Sequence, residues 1–207
     1  MTAFDIARLK PATTALVLVD LQNDFLHPRG AYGRAGAVHP ALAALPARVA
    51  AVAKAVRAWG GWTVATLFTL VPGRDGEPFV APHLKALRPF LAKGDFVPGG
   101  WGQDVVDALK PVDFKVEKIA YSAFHQSRLE FVLKKAGVTT LIFTGIVTNG
   151  GVASTLRHAH VLEFETLLLS DGCAAFKPEV HETTVASLAA ISPVATCAAF
   201  AAALARR

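Results

Sequence analysis

Two hydrophobic patterns alternate along this chain. Thr13-Thr14-Ala15-Leu16-Val17-Leu18-Val19-Asp20 is almost continuously apolar and ends on a carboxylate. A parallel strand reads this way when helices cover both faces of its sheet. Across residues 39–59 apolar positions recur at helical spacing, and the run stops at Gly60-Gly61. Residues 62–69 predict a second strand. Residues 71–104 are rich in Gly and Pro and long enough for a functional loop or lid. Phe114–Lys118 predicts a third strand, 128–136 a helix stopped by Gly137, and 140–144 a fourth strand. A helix over 150–160, a strand over 165–170, a helix over 178–190 and a short sixth strand over 193–196 follow. Pro178 sits early in its helix, where a missing N–H costs nothing. Alternating strands and helices imply right-handed crossovers. The fold class expected is α/β: a doubly wound, mainly parallel, Rossmann-like six-stranded sheet with helices on both faces. Its ligand crevice would lie at the carboxyl ends of the strands. No repeat or internal linker interrupts the pattern, so residues 1–207 read as one domain.

Composition narrows the class. Hydrophobic residues make up 53% and charged residues 18% of the 207 positions, which argues for a large core and against disorder. No apolar run reaches the roughly 18 residues of a membrane span, so no membrane partner is expected. Met1-Thr2-Ala3-Phe4-Asp5 lacks a basic region followed by an apolar one, so a cytoplasmic location is expected. Cys173 and Cys197 are too few for a disulfide framework or a four-cysteine zinc site. The net charge of +5 comes from scattered Lys and Arg. That pattern points away from nucleic acid and suits small anionic ligands.

Three segments stand at strand ends, where a doubly wound sheet binds ligands. Asp20 follows the first strand; a partly desolvated carboxylate there can serve as an acid or base. It reads equally as the cap of a turn beginning at Leu21. Lys118 closes the third strand and could pair with Asp20, or could be a surface lysine with a packed stem. His125, a little further on, reads as structural or solvent-facing. Gly145-Ile146-Val147-Thr148-Asn149-Gly150-Gly151 leads the fourth strand into a helix, whose free N–H groups favour an anion or carbonyl oxygen. It could also be plain helix entry. It is neither a Walker loop nor a dinucleotide fingerprint.

Together these segments resemble the isochorismatase-like hydrolase superfamily, over roughly residues 13–197. That group's Asp-x-Gln-Asn-Asp-Phe motif appears as Asp20, Gln22, Asn23, Asp24 and Phe25. Its lysine before Ser-Ala-Phe appears as Lys118 with Tyr121, Ser122, Ala123 and Phe124. Its Gly-x-x-Thr-Asn-x-Cys-Val-x-x-Thr motif runs from Gly145 to Thr155, with Gly151 where the amidohydrolases carry their nucleophilic cysteine. Without a side chain there, no thiolate attack or acyl-enzyme is possible. Cys173 reads as a small buried cysteine rather than a substitute.

Glycine at this slot is what the true isochorismatases of the superfamily carry. The resemblance therefore implies a hydrolase of a small polar or carboxylated molecule, of vinyl-ether-cleaving type. Asp20 would be the acid and Lys118 the orienting group, and Val147 and Gly151 would present backbone N–H groups. It also implies a cis peptide at Ile146–Val147 that aims the Val147 N–H into the site. Gln22, Phe25, Tyr121, Phe124, Val147, Thr148 and Asn149 are the substrate-contact candidates. Arg74, in the long loop, is a candidate grip for a carboxylate.

The chain departs from the isochorismatase pattern in two further places. Val71 replaces the glutamine of Ala-Gln-Pro-Gly, and Val147 replaces a tyrosine. The opening motif and Thr148-Asn149 look more like the amidohydrolase branch. Two other readings therefore stand beside the first: an amidohydrolase whose cysteine was replaced by engineering, and a ligand-binding descendant without catalysis. The Asp-x-His…His metal site of nicotinamidases has no counterpart near Val71-Pro72-Gly73-Arg74-Asp75-Gly76, so neither metal nor cofactor is expected. Assembly as a homodimer or homotetramer is implied by the resemblance alone.

Overall fold

The computed structural model describes residues 5–206. Among them, six strands make one parallel sheet in the order β3-β2-β1-β4-β5-β6. These are β1 (Thr14–Val19), β2 (Trp62–Phe68), β3 (Phe114–Lys118), β4 (Thr140–Ile146), β5 (Glu165–Ala174) and β6 (Val194–Ala195). This is the doubly wound order expected. The chain moves outward from β1 through β2 to β3, then returns to build β4, β5 and β6 on the other side. The reversal leaves a crevice beyond the carboxyl ends of β1 and β4.

Nine helices accompany the sheet among the described residues: α1 (Asn23–Leu26), α2 (Ala31–Arg34), α3 (Pro40–Ala43), α4 (Leu45–Trp59), α5 (Pro82–Leu87), α6 (Leu129–Lys135), α7 (Ala153–Val161), α8 (Pro178–Leu188) and α9 (Cys197–Ala205). Alternation along the strands divides the core between two faces. Leu16 and Leu18 of β1 pack with Leu45, Val49, Val52 and Val56 of α4 and with Phe200 and Leu204 of α9. Ala15, Val17 and Val19 face the other way, towards Leu129 and Leu133 of α6, Leu156 of α7 and Leu188 of α8.

Several boundaries differ from the sequence reading. The single helix expected over 39–59 is two, parted at Ala44, because Pro46 in the first turn of α4 has no N–H to continue the hydrogen-bond ladder. β5 runs on to Ala174 past a register shift opposite Phe143 and Gly145. The loop over 71–104 contains α5. The apolar segment Cys197–Ala205 forms α9, which the pattern reading left out. Its buried residues Cys197, Phe200 and Leu204 lie at helical spacing, and Thr196 Oγ1 accepts the Ala199 N–H at its start. No helix among the described residues is long and apolar enough to cross a membrane.

Candidate active site

Asp20 leaves β1 in left-handed backbone (φ 56°), a conformation that a short polar side chain tolerates. Its carboxylate is buried and meets the Lys118 ammonium, also buried, at 2.7 Å. β1 and β3 flank β2, so the two groups converge over the end of that strand. Lys118 Nζ also donates to the Ala120 carbonyl at 3.0 Å and lies 5.4 Å from the centre of the Phe68 ring. Burial pushes the Asp20 carboxyl above the usual carboxylate range, against the pull of Lys118.

The turn after β4 comes next. Gly145, at φ 124°, lies so close to the backbone of Val19 that no side chain could stand there. The Ile146–Val147 peptide is cis. Thr148–Val152 forms one wide π-helical turn before α7, so the regular helix begins later than the expected residue 150. A Cβ placed at Gly151 would lie 2.9 Å from the Ile146 carbonyl oxygen, 3.0 Å from Asp20 Oδ2 and 3.1 Å from Val19 Cγ1. Position 151 thus borders the Asp20 carboxylate directly, and glycine leaves that border bare.

A cleft of about 620 Å³ opens over this floor. Asp20, Lys118, Gly151, Phe25, Tyr121 and Val147 all line it. The walls are mostly apolar. Phe25 packs against Tyr32 at 4.9 Å and Phe96 at 4.6 Å between ring centres, and Tyr32 stacks on Phe176 at 5.9 Å. Burial raises the Tyr32 phenol above its ordinary pKa, opposed by Arg88.

Five substrate-contact candidates lie elsewhere. Phe124 is buried under α7 beside His158 and Phe164, 5.4 and 5.8 Å between ring centres. Gln22 is buried as a brace: its amide donates to the carbonyls of Phe68 and Gln103 at 2.9 and 2.8 Å and accepts the Phe68 N–H at 2.8 Å. Thr148 is buried with its hydroxyl 2.8 Å from His181 Nδ1, and Asn149 is exposed outside the cleft wall. Arg74 is exposed on its loop and does not line the cleft. Each stands in a motif or loop next to the cleft, but none lines it. His125 is exposed.

The cleft also contains residues that the sequence reading missed. Tyr32, Phe79, His83, Arg88 and Phe176 come from α2, the long loop with α5, and the segment after β5. None belongs to a motif, and only the packing of distant segments brings them together. Cys173, by contrast, is buried, and burial drives its thiol far up. Among the described residues no group of three or more His, Cys, Asp or Glu is arranged to hold a metal ion.

A model of the Isochorismatase domain matches residues 14–199. The chain belongs to the isochorismatase family. It is 35% identical over 193 residues to the ureidoacrylate amidohydrolase RutB of Methylobacterium radiotolerans, covering 87% of this chain and 74% of that one. To the RutB of Pseudomonas savastanoi pv. phaseolicola it is 36% identical over 176 residues, covering 79% and 71%. The fold matches a cysteine hydrolase from Pseudomonas syringae pv. phaseolicola with a TM-score of 0.80 at 24% identity, over 96% of this chain and 95% of that one. It also matches N-carbamoylsarcosine amidase from Thermoplasma acidophilum, with a TM-score of 0.69 at 22% identity over 89% and 96%. Membership of the isochorismatase family makes this chain a hydrolase.

Proposed function

We propose that this isochorismatase-family hydrolase cleaves a small polar or carboxylated vinyl ether with water and forms no covalent enzyme intermediate. One observation carries the reading: the position bordering the Asp20 carboxylate is Gly151, which offers no nucleophile. Asp20 protonates the terminal vinyl carbon, and an oxocarbenium ion forms at the ether-bearing carbon. Water, oriented by Lys118, adds to that carbon and returns a proton to Asp20. The resulting hemiketal collapses to a keto acid and an alcohol. The raised pKa of Asp20 suits a proton donor, because the acid form persists to higher pH than in an ordinary carboxylate.

The test is to incubate the protein with isochorismate and follow pyruvate. Turnover that falls about a hundredfold or more in Asp20→Asn supports the acid role. Turnover unchanged by that substitution refutes it.

The resemblance to ureidoacrylate amidohydrolases favours a second reading, hydrolysis of a small amide or ureido compound. It predicts ammonia release from ureidoacrylate and a large gain in Gly151→Cys. A Gly151→Cys protein that alkylates at residue 151 but releases no ammonia counts against it.

A further inference from the structure

Arg88 lines the same cleft as Asp20 and Lys118 but has no place in the chemistry above. It follows α5, in the long loop. Its Nε donates to the Tyr32 hydroxyl and its Nη1 to the Leu87 carbonyl, both at 2.8 Å. The guanidinium lies 5.3 Å from the centre of the Phe176 ring and 5.9 Å from that of Tyr32. Hydrogen bonds and rings together fix the group in one orientation. A guanidinium has five N–H donors, and these bonds use only two of them.

Arg88 also brings a charge into the cleft that no carboxylate of the cleft wall balances. Asp20, the carboxylate of the cleft wall, is taken by Lys118 at 2.7 Å. Among the described residues no carboxylate pairs with Arg88. The ionised Asp20–Lys118 pair is neutral, so Arg88 leaves the charged groups of the cleft with a net +1. Protonating Asp20 for acid catalysis raises that to +2. A cation on an apolar wall attracts an anion more strongly than it would in bulk water, and a planar guanidinium fits a carboxylate through paired hydrogen bonds.

We propose that Arg88 is the anion-binding end of the cleft, holding a substrate carboxylate so that the apolar body of the substrate lies between it and the Asp20–Lys118 pair. The proposal rests on the cleft being the substrate site of the hydrolase, and it names the group that the substrate must carry. Arg88 is a specificity residue here, in the place that the sequence reading gave to Arg74.

The experiment measures binding rather than turnover, so that its failure is separable from failure of the hydrolytic reading. The probes are trans-cinnamate and its neutral isostere cinnamamide, titrated calorimetrically into the wild type, Arg88→Gln and Arg88→Lys, with circular dichroism to verify folding. The wild type is expected to prefer cinnamate. Arg88→Gln is expected to weaken cinnamate about tenfold or more and to leave cinnamamide unchanged. Arg88→Lys, which keeps the charge and serves if the glutamine variant does not fold, is expected to retain a reduced preference for cinnamate. No preference for cinnamate in the wild type overturns the proposal, as does a preference that survives in Arg88→Gln or is undiminished in Arg88→Lys. Arg88-dependent binding of cinnamate without release of pyruvate from isochorismate would leave the anion site standing and remove the vinyl-ether chemistry.

Discussion

Gly151 and Asp20 set the chemistry at the smallest scale. A methyl group at 151 would press on the Ile146 carbonyl and on Asp20 Oδ2. Gly151→Ala is therefore expected to lose about 1–3 kcal/mol of stability by overpacking, and to lower kcat by displacing the carboxyl; denaturant melts and initial rates measure both. Burial raises the Asp20 pKa, and the sign of its effect on rate separates an acid role for Asp20 from a base role. If Asp20 is the acid, kcat/KM is full below the raised pKa and falls as pH rises through it. If Asp20 instead activates water as a base, kcat/KM rises over the same interval. A pH profile on the preferred substrate distinguishes the two slopes. Asp20, Lys118 and Gly151 were legible in the sequence because strand ends and short motifs are local signals. Phe124, Thr148 and Gln22 fall outside the cleft lining, since a motif records spacing and not the direction of a side chain.

Among the elements, α9 shows why the reading of the pattern stopped short. Its sequence is mostly alanine, so the apolar stripe of Cys197, Phe200 and Leu204 has little polar contrast around it. The helix nonetheless seals one face of the sheet against α4. Phe200 is fully buried, and Phe200→Ala is expected to cost about 3–5 kcal/mol through the cavity it leaves, read as a lower urea midpoint. β1, β2 and β4 were easy to recognise for the opposite reason. Strands covered on both faces are almost wholly apolar and cannot be taken for amphipathic helices. The split between α3 and α4 was hidden because the apolar spacing continues through Pro46.

At the scale of the molecule, the order of elements was sufficient for the topology, since right-handed crossovers leave few ways to arrange six parallel strands. The cleft wall was not legible, because its residues meet only when segments far apart in sequence pack together. The same burial predicts chemical behaviour. Burial raises both thiols, with Cys197 pushed up to about 12, so the native protein is expected to resist iodoacetamide at neutral pH and to react at both cysteines once unfolded. Mass spectrometry of intact and denatured samples checks this.

The opening motif has a mechanical role as well. Gln22 holds Phe68 and Gln103, the Asn23 side chain donates to the Trp101 carbonyl, and the Asp24 carboxylate accepts the N–H groups of Ala31 and Phe96. The long excursion from β2 to β3 is thus riveted near its two feet while its middle, with α5 and Arg88, spans the opening. A hydrolase built in this way can trade one arch for another without disturbing the masonry beneath, so ligand choice can diverge while the motif beneath stays the same.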